Sequence, residues 1–147
     1  MKSAIRRWGP VLGMVLGAHA GTIAAQVPAS LRTQTTATGI AYVTGGVGDG
    51  EQNALDEMKR DYNLRLKFAR AGSGAYLADI KVQIDQEGRQ PYDMTVLNVT
   101  SGPVLLAKLP DGQYRIRAES AGQVQSKVVR ISGGKANDVI YHFPASS

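Results

Sequence analysis

Leu109-Pro110-Asp111-Gly112-Gln113-Tyr114-Arg115-Ile116-Arg117-Ala118-Glu119 is the stretch that decides the fold class. A Pro-Asp-Gly sequence is typical of a tight turn. Tyr114, Ile116 and Ala118 then alternate with polar residues, and this period of two predicts a strand with one buried and one solvated face. The stretch therefore predicts a turn that leads directly into a half-buried antiparallel strand.

Similar runs follow one another at short intervals on both sides of this strand, and turn-forming residues separate them. Their spacing predicts an all-β, antiparallel β-sandwich of seven or eight strands, with Greek-key or prealbumin-like topology. Besides the quoted stretch, the runs lie at residues 39–44, 62–69, 76–85, 93–99, 104–109, 124–131 and 139–143.

One short helix is predicted near residues 50–61, ahead of the first long strand. Asp49 is the expected N-cap residue and Gln52 its partner in a capping-box-like pair, with Glu51 near the positive end of the helix dipole. A helix of about three turns is marginal alone in water. We therefore expect it to pack on the sheet.

The N-terminus predicts export. Three basic residues (Lys2, Arg6 and Arg7) precede an apolar segment at 11–20, and small residues then offer cleavage after Ala20 or Ala25. An uncleaved membrane anchor is the alternative, but the apolar segment is shorter than the roughly 20 residues that a spanning helix needs. Residues 1–25 are predicted to be a signal peptide and the protein to be periplasmic or secreted.

Composition limits what the remaining chain is expected to do. Removal of residues 1–25 takes three of the 17 basic residues and none of the 12 acidic ones, so the net charge falls from +5 to +2. A charge this small and few aromatic residues argue against nucleic acid as a partner. Without cysteine, a disulfide and a lipid anchor on cysteine are both excluded. Residues 26–38 are predicted to be a flexible leader, and 39–144 one sandwich domain.

The runs LADIKVQIDQEGRQ and SGPVLLAKLPDGQYRIRAESAGQVQSKVVRISGG, within residues 77–143, resemble the carboxypeptidase regulatory-like, transthyretin-like domain of many secreted proteins. The resemblance is carried by Gly88, Leu109-Pro110, Gly112, Tyr114 and Gly122. The upstream run YVTGGVGDGEQ also resembles small exported bacterial proteins that consist of a signal peptide and this domain. The resemblance implies a transthyretin-like sandwich with an accessory role and without a cofactor.

Two enzymatic relatives of that family depend on residues that this chain lacks. Metallocarboxypeptidases need histidine ligands for zinc, but only His142 follows residue 20. The transthyretin-like hydroxyisourate hydrolases resemble this fold but end in Tyr-Arg-Gly-Ser, whereas this chain ends in Tyr-His-Phe-Pro-Ala-Ser-Ser. We therefore predict no catalytic residue, no metal site and no cofactor.

Four basic residues form the candidate interaction surface. Arg65 and Lys67 share one strand face, and Arg115 and Arg117 share another. If the two strands are neighbours, these residues form one cationic patch for an anionic polysaccharide, lipid headgroup or acidic protein. An ordinary solvated sheet face is the alternative interpretation.

These features predict a non-enzymatic accessory domain that binds a protein or glycan of the cell envelope through a sheet face or loops. One alternative is a small hydrolase or isomerase that uses carboxylates alone, at the meeting point of residues 45–51 and 92–100. A second alternative is a self-associating structural protein, since the edges of a sandwich invite strand pairing. The sequence does not fix the oligomeric state.

Overall fold

A computed structural model describes residues 31–88 and 94–145. The predicted signal peptide at residues 1–25 lies outside the described residues, as do residues 26–30 of the predicted leader. The described residues form two sheets, the helix α1 (Gly48–Met58) and a 3-10 turn (Lys59–Asp61). The strands are β1 (Gln34–Thr35), β2 (Ala41–Gly45), β3 (Leu64–Arg70), β4 (Ile80–Gln86), β5 (Met94–Ser101), β6 (Val104–Lys108), β7 (Gly112–Ser120), β8 (Gln123–Ile131) and β9 (Asn137–Phe143).

The two sheets stack as a sandwich. Sheet A has the strand order β1-β2-β6-β3-β9, and sheet B has the order β5-β4-β7-β8. Every neighbouring pair is antiparallel except β3 and β9, which run parallel. The predicted all-β sandwich with one short helix is confirmed, with nine strands among the described residues instead of seven or eight. The additional strand, β1, has two residues and is too short to show an alternating pattern.

The central core lies between the sheets and contains the inward-facing half of each alternating run. Tyr114, Ile116 and Ala118 of the quoted stretch are all buried there. The Tyr114 hydroxyl donates a hydrogen bond of 2.7 Å to the Pro110 carbonyl, which ties the turn to the strand that follows it. A buried phenol left without such a partner would cost about 1–3 kcal/mol. The turn and the β7 strand therefore form one unit, as predicted.

A second, smaller core lies on the outer face of sheet A, beneath α1. Leu55 of the helix packs there with Val43 of β2 and Leu106 of β6. The strand β6 is consequently buried on both faces, which explains its unbroken apolar run at residues 104–107. The helix leans on the sheet, as a helix of this length requires.

Leu31 also belongs to this cover, and the residues that follow it extend the edge of sheet A. Leu31 is 3% exposed and packs in the second core, and β1 pairs with β2. The Thr33 and Tyr62 hydroxyls are hydrogen-bonded at 2.7 Å. The prediction of a flexible leader at 26–38 is therefore wrong for residues 31–38, because the isolated apolar side chain of Leu31 gains a buried site.

The start of α1 differs from the predicted capping arrangement. Val47, not Asp49, is the N-cap residue, and its side chain caps nothing. The Gly46 and Val47 N–H groups donate instead to the Glu51 carboxylate at 2.9 and 3.0 Å. Gln52 Nε2 donates to the Gly46 carbonyl at 2.6 Å. The predicted pairing of Asp49 with Gln52 is wrong, because the chain enters the helix two residues earlier and the side chains of Glu51 and Gln52 reach back to the residues before it.

Candidate functional site

The four basic residues of the predicted patch lie on opposite faces of the sandwich. Arg65 and Lys67 project from β3 on the outer face of sheet A, and Arg115 and Arg117 project from β7 on the outer face of sheet B. β3 lies between β6 and β9, whereas β7 lies between β4 and β8. The prediction of a single patch is wrong because the two strands are not neighbours and the central core separates their outer faces.

Arg65 is held by two carboxylates. Its Nε and Nη2 donate to Asp138 Oδ1 and Oδ2 at 3.1 and 2.8 Å, and its Nη1 donates to Asp56 Oδ1 at 2.9 Å. Its side chain is only 15% exposed. The hydrogen bond to Asp138 is the main cause that raises the pKa of the Arg65 guanidinium. Arg65 therefore fastens α1 to β9, and its charge is already matched.

A cleft of about 350 Å³ lies beside Arg65, between the end of α1 and the start of β9. Tyr62 and Leu64 line its apolar part, and Lys59 Nζ lies 3.9 Å from Asp56 Oδ1. The charged groups around the cleft are thus mostly engaged with one another. This network joins structural elements and keeps the Arg65 guanidinium bound to carboxylates instead of available to a ligand.

At one end of the outer face of sheet B, charged side chains also bind one another. Arg115 Nη2 lies 2.6 Å from Glu87 Oε2. Asp85 accepts hydrogen bonds from Gln83 Nε2 at 3.1 and 3.2 Å and from Thr95 Oγ1 at 2.6 Å. Arg115 is therefore committed to Glu87, whereas Arg130, which the register places opposite Gln113 at this end, makes no ion pair among the described residues.

The other end of the same face forms an open groove of about 240 Å³. The strand register places Gln83 of β4 between Asn98 of β5 and Arg117 of β7. Neither Lys81 nor Arg117 makes an ion pair within residues 31–88 and 94–145. The lining residues are Lys81, Val82, Gln83, Asn98, Arg117 and Glu119.

The side chains of this groove define what it can bind. Arg117 presents a planar fork of N–H donors that fits a carboxylate through two parallel bonds, and Lys81 adds a second positive charge. The Asn98 amide offers donors and an acceptor, while Gln83 keeps its oxygen as an acceptor because its nitrogen donates to Asp85. With Glu119 as the one acidic lining residue, the groove suits an acidic ligand that also carries hydroxyl groups.

The alternative of a carboxylate-dependent enzyme finds no assembled site in the described part of the chain. Glu51, in the segment 45–51, is engaged as the acceptor for the N–H groups that precede α1. Tyr92 and Asp93 of the predicted meeting point lie outside the described residues. His142 is exposed on β9, and no group of three or more potential metal-ligating side chains occurs among the residues described.

Sequence reasoning identified Arg117 but missed Lys81, Gln83 and Asn98 as its companions. The alternating pattern assigns Lys81 and Gln83 to the polar side of β4, and the turn at 86–88 predicts the β4–β5 hairpin. No local signal predicts the β4–β7 pairing, because the paired residues Gln83 and Arg117 are far apart in the chain. The groove therefore becomes visible only once the strand order is known.

Comparison of the chain with protein-family models gives no match, and comparison with curated proteins gives none either. The described helix is too short to cross a membrane. The fold and the groove geometry therefore carry the functional argument.

Proposed function

We propose that the protein is a non-enzymatic, exported accessory domain that binds an acidic glycan of the cell envelope through the groove on the outer face of sheet B. One observation carries the proposal. Lys81 and Arg117 lack ion-pair partners among the described residues, yet they line one polar groove, whereas Arg65 and Arg115 are bound to carboxylates. Unmatched, exposed cations attract an anionic partner and lose little internal stabilisation on binding it.

The chemistry of the groove favours a glycan over a protein as the partner. Protein interfaces concentrate their binding energy in aromatic and apolar residues at the centre of the contact. The groove has Val82 as its apolar lining residue and no aromatic one. Amide and guanidinium groups instead match the hydroxyl and carboxylate groups of an acidic sugar.

Export and the accessory role rest on the sequence. Lys2, Arg6 and Arg7 followed by a short apolar segment support a signal peptide, and the lack of cysteine excludes a lipid anchor on that residue. The resemblance to carboxypeptidase regulatory-like, transthyretin-like domains supports a binding role beside other envelope components. A periplasmic or secreted location would bring the groove into contact with acidic polysaccharides.

The proposal is tested by measuring the binding of the protein, expressed from its full-length sequence, to uronic-acid oligosaccharides and to neutral oligosaccharides of the same length. The double variant Lys81→Gln/Arg117→Gln removes both free charges while keeping similar side-chain length. Because charge-assisted hydrogen bonds are about twice as strong as neutral ones, we expect the affinity for acidic oligosaccharides to fall about tenfold to a hundredfold. Binding of the neutral oligosaccharides should be weak in every variant.

Lys67→Gln is the control on the opposite face of the sandwich, where it removes one positive charge from a partly exposed side chain. It should leave the affinity unchanged. Equal losses from Lys67→Gln and from the groove variant would show that net charge alone governs binding. Equal affinity of the unaltered protein for acidic and neutral oligosaccharides would reject the proposed ligand class.

A further inference from the structure

The outer edge of β9 is unpaired by any strand in the described part of the chain. The Asn137 N–H donates to the Asn63 carbonyl, and the Ala71 N–H donates to the Phe143 carbonyl. The odd-numbered residues of β9 therefore direct their backbone groups toward β3. Because backbone groups alternate along a strand, Asp138, Ile140 and His142 direct theirs toward the outer edge.

Two side chains from the other sheet cover two carbonyls of this edge. Lys127 Nζ donates to the Ile140 carbonyl at 2.8 Å, and Gln125 Nε2 donates to the His142 carbonyl at 2.6 Å. Lys127 Nζ also lies 4.9 Å from the centroid of the Tyr141 ring. Both donors belong to β8, the edge strand of sheet B, so they span from one sheet edge to the other.

Two N–H groups of the same edge, unlike these two carbonyls, lack hydrogen-bond partners among the described residues. Neither the Ile140 nor the His142 N–H has a hydrogen-bond partner within the two described segments. Ile140 is 46% exposed beside them. An edge with free donors and an exposed β-branched residue is a template for strand addition, and a lysine placed at the edge is a device that proteins use against it.

We propose that β9 is a strand-addition edge for a second copy of this chain, and that Lys127 and Gln125 hold it closed. Antiparallel self-pairing centred on Ile140 places Asp138 of each copy opposite His142 of the other copy. Oppositely charged or hydrogen-bonding side chains at directly paired positions stabilise such a contact. The contact is also self-complementary, because two-fold symmetry presents the same surface on both copies. While Lys127 and Gln125 occupy the Ile140 and His142 carbonyls, two of the three outward carbonyls of this edge are already bound and an added strand meets only the Asp138 carbonyl unoccupied by the described residues.

The double variant Gln125→Ala/Lys127→Ala tests this inference by sedimentation velocity over a range of protein concentrations. We expect the unaltered protein to remain monomeric and the double variant to form a reversible dimer, with an association constant at least about tenfold higher. Gln123→Ala/Lys108→Ala is the matched control, since it removes the same two functional groups at positions without a hydrogen bond to β9 among the described residues, and it should remain monomeric.

A third variant separates edge pairing from other association. Adding His142→Pro to the double variant removes one outward N–H without touching the bonds to β3, and edge strands tolerate proline. We expect it to restore the monomer. A double variant that stays monomeric while folded, or a dimer that survives His142→Pro, overturns the proposal. If circular dichroism shows that the double variant does not fold, each single substitution is measured in the same way, with the same two outcomes. The groove variants test a different face, so the two proposals fail separately.

Discussion

The two outer faces of the sandwich are built from similar alternating strands, but one is partly covered and the other is open to solvent. On sheet A, α1 and Leu31 cover part of the face, and Arg65 is bound between two carboxylates. On sheet B, Lys81 and Arg117 are exposed and lack ion-pair partners among the residues that the structure describes. The comparison shows that a basic residue on a strand acquires its role from what covers the strand.

The same comparison explains why charge counting on the sequence misleads here. Arg65 and Arg117 occupy equivalent outward positions of alternating strands, but only Arg65 meets a helix and a neighbouring strand that supply carboxylates. The hydrogen bond to Asp138 is the largest cause of the raised pKa of Arg65. The covered face stabilises the fold, while the open face is available for binding.

The largest effect should come from removing the side chain that anchors the cover. Leu55→Ala leaves a cavity between α1 and sheet A, and we expect the free energy of unfolding to fall by about 2–5 kcal/mol. Urea denaturation measures it. Asn53→Ala, at an exposed position of the same helix, should change the value by less than about 0.5 kcal/mol. Similar losses from both variants would contradict the role of α1 as the cover.

A matched pair of valines compares the two faces directly. Val43 is fully buried beneath α1, whereas Val128 on the outer face of sheet B is 52% exposed. Both substitutions to alanine lose the same strand propensity, so the difference between their changes in the free energy of unfolding reports the effect of burial. We expect Val43→Ala to lower the free energy of unfolding by about 1–3 kcal/mol more than Val128→Ala. Equal losses in urea denaturation would mean that sheet A is no better covered than sheet B.

A matched pair of arginines compares charge on the two faces. Arg65→Gln leaves Asp56 and Asp138 without their shared cation, and we expect a loss of about 1 kcal/mol. The loss is kept small because both carboxylates are more than half exposed. Arg117→Gln should leave the free energy of unfolding unchanged within about 0.5 kcal/mol. Thermal denaturation at low and high salt measures both, and a loss from Arg65→Gln that does not shrink at high salt would exclude the ion pairs as its cause.

The smallest effect concerns the turn between β7 and β8. Ala121 has φ of 49°, in the left-handed region that disfavours alanine, and Gly122 follows with φ of 83°. Asparagine adopts this conformation more readily in such hairpin turns. Ala121→Asn should raise the free energy of unfolding by about 0.5–1 kcal/mol without changing glycan binding. Ala121→Val is the reference for a residue that adopts this conformation less readily. A decrease in the free energy of unfolding on Ala121→Asn would contradict this account of the turn.

Local signals predicted the elements of this fold but not their arrangement. The Pro-Asp-Gly turn and the alternation around Tyr114 identified β7, and the turn residues at 86–88 predicted the β4–β5 hairpin. The strand order of sheet A depends on contacts between distant residues, such as Arg65 with Asp138, which no local pattern encodes. Leu31 was misjudged for a related reason, because its burial in the second core is a tertiary effect. Asp49 was misjudged for a local reason, because Glu51 reaches back over four and five residues to accept from the Val47 and Gly46 N–H groups.

The parallel pairing of β3 with β9 also affects how the protein reaches its folded state. Arg65 and Asp138 are separated by 73 positions, so sheet A closes only after almost all of the strands have been synthesised. Contacts of such long sequence separation form late and slow folding. A growing chain that lacks β9 leaves the sites of Tyr141 and Phe143 in the central core empty. Delayed closure keeps the polypeptide unfolded for longer, which is the condition that the proposed export requires.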